Sequence, residues 1–216
     1  MRIRILFRLS AVLMAALNSY NAQSALISVD FLDVVNDCPT YFGDGDFSSC
    51  NIEGLSPVIA KFEYENESFT ISSEDINTLY PSIDGSEFTL TPDLNSDEAN
   101  TGSWLYAPDD QADPSVRFWV AKSSTDFRLF WEVSTADATG VCATNPYIID
   151  CLDAALVVTS GTWSTVDEKG LSHITFYDTG APVSPVPLPA AAWLFGAALL
   201  GMAGIARRRT KRTANA

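Results

Sequence analysis

The sequence predicts an all-β chain: an antiparallel β-sandwich of jelly-roll kind, with a helical segment at each end. Three observations predict it. Short runs alternate apolar and polar residues with period two, turn signals separate them at short intervals, and the body shows little helical periodicity. About eight to ten strands fit this pattern, and no internal repeat of fixed period is visible.

The elements follow in chain order. Met1 to Ser24 reads as a secretory signal peptide, expected to be helical before removal. Arg2, Arg4 and Arg8 form its positive region, Leu9 to Leu17 its apolar stretch, and Ala22 and Ser24 are the small residues of a cleavage site. An exported body, residues 25–180, follows. Ile27, Val29 and Phe31 alternate with Ser28 and Asp30. Val58, Ala60, Phe62 and Tyr64 alternate with Ile59, Lys61 and Glu63. Phe127, Leu129, Trp131 and Val133 alternate with Arg128, Phe130 and Glu132. Each pattern sets one apolar face on a core and one toward water. VRFWVAK and FRLFWEV, separated by Ser123 to Asp126, predict a hairpin. The stretch from Leu156 to Asp178 predicts another, turning at Asp167 to Gly170. Asp84-Gly85 and Thr101-Gly102 are further turn signals. The acidic stretch from Asp93 to Asp113 reads as loops around one short strand at Trp104-Leu105-Tyr106. Residues 181–189 hold four prolines in nine positions and form an extended spacer.

Charge narrows the partners. All 27 acidic residues lie between Asp30 and Asp178, against five basic ones there: Lys61, Arg117, Lys122, Arg128 and Lys169. So acidic a surface repels nucleic acid, and it attracts divalent cations loosely. The four cysteines of an exported chain predict disulfides. Cys38 with Cys50 and Cys142 with Cys151 is the expected nearest-neighbour pairing, although three connectivities are open. Zinc is disfavoured: there is no CxxC spacing, and the single histidine lies far off in sequence.

Candidate chemistry is sparse. His173 is the only histidine, no GxSxG elbow surrounds any serine, and alternation puts His173 and Thr175 on the polar face of a strand. Paired carboxylates, the requirement of a glycosidase, arise by chance in so acidic a body. Asp44 and Asp46 are weak calcium candidates. Counted from Asp44, an EF-hand would want Gly where Ser49 stands and Glu where Leu55 stands, so a solvated loop pinned by Cys38 and Cys50 is the plainer reading. Trp104, Trp119, Trp131 and Trp163 are candidates for a sugar-stacking platform, Trp119 first because it lies out of phase with Val116, Phe118 and Val120. Asn66-Glu67-Ser68 fits a glycosylation pattern that short sequences often match by chance.

The end of the chain carries the most specific signal. Ala190 to Ala206 is uncharged and largely apolar. As a helix it would span about 25 Å, the lower limit for crossing a bilayer. Arg207, Arg208, Arg209, Lys211 and Arg212 follow within residues 207–216, a basic stop that stays cytoplasmic. With the signal peptide, this orients the body outside the inner membrane and the tail inside. A plain anchor has no use for the prolines before it. The run VPLPAAAWLFGAALLGMAGIARRR resembles the PEP-CTERM sorting signals of Gram-negative bacteria, in the variant written VPLPA. Motif (Val186, Pro187, Leu188, Pro189, Ala190), helix and basic end appear in order, over about the last thirty residues. GTWSTVDEKGLSHITFYDTG just upstream is similar to the terminal strands common in that class.

The resemblance implies an exosortase substrate. Export through the Sec machinery would be followed by transient anchoring in the inner membrane. Cleavage near the VPLPA motif would then deliver the body to the cell surface or extracellular matrix, in association with exopolysaccharide and biofilm. The body itself reads as non-enzymatic and without a resident cofactor, calcium being the one candidate ion. The alternatives are a carbohydrate-binding module of the matrix and, behind it, a small glycan-active hydrolase.

Overall fold

In β7 (Val116–Lys122) and β8 (Phe127–Ser134) the sequence leaves little freedom: two apolar runs meet across four polar residues. They pair antiparallel, and the Ser123 N–H closes the turn on the Asp126 carbonyl at 2.9 Å. The computed structural model describes residues 23–34, 36–93, 98–110 and 112–179. Residues 1–22 of the expected signal peptide (1–24), the proline-rich spacer, the VPLPA motif, the apolar segment 190–206 and the basic residues 207–216 lie outside the described residues. Among the described residues, no helix is long and apolar enough to cross a membrane.

The hairpin is the centre of a seven-stranded sheet. β1 (Ser24–Phe31) runs antiparallel to β8, and β10 (His173–Asp178) lies between β7 and β3 (Ser56–Glu65). β2 (Asn51–Ile52) and β4 (Ser68–Thr70) are short partners of β3. Asn66 and Glu67, both at positive φ, make the tight β3–β4 turn, so the Asn66-Glu67-Ser68 pattern sits at an exposed hairpin tip. A second sheet has the order β5–β6–β9, from Phe88–Pro92, Thr101–Tyr106 and Ser160–Ser164. Every pairing is antiparallel, and the architecture is an all-β sandwich, as the sequence predicts. Two helical turns, α1 (Thr135–Thr139) and α2 (Ile149–Asp153), sit in the β8–β9 connection.

The central strands are covered on both faces, which corrects the one-wet-face reading. Phe118, Val120, Leu129, Trp131, Val133 and Tyr177 pack on one side with the two cystine loops and Leu152. Trp119, Ala121, Phe130, Ile174 and Phe176 pack on the other with Phe88, Trp104, Tyr106 and Trp163 of the second sheet. All six residues of β10 are therefore buried. A bulge in the β3–β10 pairing changes the phase of β3, so Ile59 is buried beside Ala60 rather than facing water.

Two turn readings also change. The stretch 156–178 does turn at Val166–Glu168, where Asp167 and Glu168 have positive φ. Its two strands do not pair with each other: β9 joins β6, and β10 joins β3 and β7. The turn is thus a crossing between sheets. Thr101-Gly102 opens β6 instead of making a turn. Gly102 is required because the Trp163 ring and the Thr91 carbonyl occupy the space of a Cβ. The Asp84-Gly85 turn forms as expected, with Gly85 at φ 97°.

Candidate functional site

Both cystines form as nearest neighbours, Cys38–Cys50 and Cys142–Cys151. The other expected site residues are placed less productively. Asp44 and Asp46 stand exposed in the first cystine loop. The Asp46 Oδ1 accepts the Ser49 N–H at 2.8 Å and so caps its own short turn. The tryptophan platform is not formed. Trp104, Trp119, Trp131 and Trp163 are each at most 2% exposed, and Trp119 donates its indole N–H to the Thr162 carbonyl at 2.9 Å. Their faces meet other rings: Trp119 stacks on Phe130 and takes the edge of Trp104. Trp119 is out of phase with its neighbours because the second sheet covers that face, not because it reaches solvent.

His173 and Thr175 do share a face, but that face is dry. His173 Nε2 lies 2.8 Å from Asp37 Oδ1, and the Thr175 hydroxyl donates to Asp37 Oδ2 at 2.8 Å. Asp37 is fully buried, beside Cys38. Burial pushes its carboxyl up, but the charge and hydrogen bond of His173, the Cys38 N–H and the Thr175 hydroxyl outweigh that and hold it below the ordinary value. Ser172 Oγ is 3.5 Å from His173 Nδ1, at the limit of hydrogen bonding. The trio ties the first cystine loop to β10. Lys122, also buried, gives its ammonium to the Ser123 and Ser124 carbonyls at 2.6 and 2.9 Å, and burial lowers its pKa.

A second acidic constellation lies at the end of the β5–β6 hairpin away from its connection. The register pairs Phe88 with Tyr106, so Glu87, just before β5, sits beside Ala107, just after β6. The Ala107 N–H donates to the Glu87 carbonyl at 2.8 Å. The β6–β7 loop then folds back, pinned by the Tyr106 hydroxyl on the Pro114 carbonyl at 2.7 Å. This brings Asp109 and Asp113 to Glu87. Each of the three offers a carboxylate oxygen, and those oxygens lie within 4.8 Å of one another. Glu87 and Asp113 are buried, while Asp109 is exposed.

The carboxylates are held from the backbone. Asp113 Oδ2 accepts the N–H groups of Asp109 and Asp110 at 3.0 and 2.9 Å, and Glu87 Oε2 accepts that of Gly85 at 2.9 Å. Asp178 lies nearby, accepting the Tyr80 hydroxyl at 2.7 Å and the Ser115 N–H at 3.0 Å. The Tyr106 phenol registers this crowding. Burial, then the charges of Asp113, Glu87, Asp178 and Asp109, drive its pKa far above the usual phenol value. Chemically, the arrangement offers hard oxygen donors around one point.

Elsewhere, a shallow depression of about 360 Å³ is lined by Glu53, Tyr147, Ile148, Ile149 and Leu152. Its one carboxylate already accepts the Tyr147 hydroxyl at 2.8 Å. Comparison with protein-family models, with curated proteins and with solved structures finds no match to this chain.

Sequence reasoning missed both acidic constellations. The pair Asp109-Asp110 and nearby Asp113 stood out only as part of an acidic loop. Nothing in the sequence marks Glu87 or Asp37 from the other acids. Only the β5–β6 register, and the fold of the first cystine loop onto β10, single them out.

Proposed function

We propose that the chain is a non-enzymatic exported surface or extracellular-matrix protein, sorted by an exosortase through its C-terminal signal and associated with exopolysaccharide. Sec-dependent export places the body outside the inner membrane. The apolar segment 190–206 anchors it as a helix, and residues 207–216 hold the tail in the cytoplasm until cleavage near Val186–Ala190. The observation that carries this reading is the two closed cystines in a body flanked by a stretch that reads as a signal peptide and one that resembles a sorting signal. Disulfides persist in oxidising compartments outside the cytoplasm.

Two further observations support a structural role. The single histidine is 5% exposed and engaged by Asp37 beside the first cystine loop. The four body tryptophans are core residues, which removes the tryptophan platform from the case for a carbohydrate-binding module and leaves that alternative to exposed tyrosines such as Tyr41. The pairing of early with late strands, β1 with β8 and β3 with β10, supports a jelly-roll-like sandwich.

Mass spectrometry of the mature C-terminus from native cells tests the reading. The expected product ends near the VPLPA motif. A mature protein that retains the tail through Arg212 would make the segment a permanent anchor and overturn the sorting assignment.

A further inference from the structure

Three carboxylates gathered at one point repel each other unless something positive sits among them. Among the described residues, no side-chain cation does so for Glu87, Asp109 and Asp113. The five basic residues of the body are engaged elsewhere. Lys61 bridges Glu63 and Asp75 at 2.6 and 2.8 Å, and Arg128 pairs with Asp30. Lys169 pairs with Asp126, Arg117 binds the Asp153 and Ala155 carbonyls, and Lys122 binds those of Ser123 and Ser124.

A second observation is separate from the clustering. Asp113 is 1% exposed, and its Oδ1 has no hydrogen-bond partner although Oδ2 has two. A buried carboxylate oxygen without a protein partner is strongly unfavourable, and native proteins rarely retain one without a water, ligand or ion to meet it. Backbone N–H groups fix the carboxylate through Oδ2, and Oδ1 is the oxygen left to bind.

We propose that Glu87, Asp109 and Asp113 form a calcium site joining the start of β5 to the β6–β7 loop. The donors are all hard oxygens, which disfavours zinc and copper. Calcium takes bonds of about 2.3–2.6 Å in flexible geometry, so ligands on opposite sides of it stand about 5 Å apart. The oxygens, all within 4.8 Å of one another, fit inside that spread, and three carboxylates from two separate segments suit calcium better than magnesium, which keeps several waters and binds through one or two carboxylates. Exposed Asp109 gives the ion an entry path and leaves positions for water. Three carboxylates and no dedicated loop place the affinity in the weak range of extracellular modules, with Kd of about 10⁻⁴–10⁻³ M.

The test uses the full chain in detergent, stripped with chelator and kept in about 0.15 M salt to screen diffuse attraction. Calorimetric titration with calcium chloride is expected to show one saturable site per chain. At about 10 mM calcium, the thermal midpoint should rise by about 3–10 °C, and magnesium should raise it less. Asp113→Asn should lose the calcium-dependent shift and at least tenfold in affinity, while Asp44→Asn/Asp46→Asn keeps both. Should Asp113→Asn fail to fold, exposed Asp109→Asn carries the same comparison. Absence of a shift at that concentration, or an equal shift with magnesium or in the cluster variants, overturns the proposal.

Discussion

The two faces of the seven-stranded sheet are closed by opposite means. On one, irregular chain is tied down by two cystines and by the Asp37–His173–Thr175 hydrogen bonds. On the other, a second sheet lays Trp104, Tyr106, Phe88 and Trp163 against the first. The difference teaches how a chain with 27 acidic residues and 13 basic ones closes a core. A loop layer cannot satisfy its backbone through a ladder, so covalent staples and a buried acid–base pair hold it. The sheet layer satisfies its backbone internally and relies on aromatic packing. The acids gathered at its edge, Glu87, Asp109 and Asp113, have no histidine or side-chain cation to meet them among the described residues.

The largest expected effect lies on the sheet-covered face. Trp119→Ala removes a fully buried ring that stacks on Phe130 and bonds Thr162, and should cost about 3–5 kcal/mol in denaturant unfolding. A loss below about 0.5 kcal/mol, the level of an ordinary surface change, would show that the second sheet is not packed as described.

Asp37→Ala probes the stapled face. It strands His173 and Thr175 in a dry site, and about 3 kcal/mol should be lost. The same carboxylate sets an acid limit. Its pKa is lowered in the fold, so its contribution is complete above the unfolded value of 3.8 and is lost as pH falls through the lower folded one. Glu63 Oε2, 3.8 Å from His173 Nδ1, and the Lys122 ammonium are the other charged groups that face this pair. Unfolding midpoints measured from neutral pH down to below 3.8 should therefore converge for the wild type and Asp37→Ala at the acid end. A constant gap would assign the loss to packing rather than to charge.

Cys142→Ala/Cys151→Ala should cost slightly less, about 2–3 kcal/mol, because the loop it closes is short. Hydrogen exchange would locate the damage. Faster exchange in residues 135–156, with β5, β6 and β9 unchanged, keeps the two faces distinct, whereas equal acceleration in both would make the sheet and its stapled cover one cooperative unit.

The β7–β8 hairpin was legible because its alternation, turn and length agree locally. The cystine pairs were legible as the nearest neighbours among three connectivities. The β9–β10 turn was not: a turn between two strands looks the same in sequence whether they pair with each other or part to different sheets. The tryptophans misled for a related reason. Period two tells which residues share a face, but not whether a second layer covers it, and both faces of β7 are covered here.

The sequence by itself determined the all-β class, the central hairpin and the acidity of the body, because alternation, turn chemistry and charge are local properties of the chain. Only the tertiary structure decided which acids matter. Asp37 meets His173 and Thr175, and Glu87 meets Asp109 and Asp113, through strand register and loop closure across long stretches of chain. Burial turns these few carboxylates, alike in composition to the others, into the ones whose partners must be accounted for.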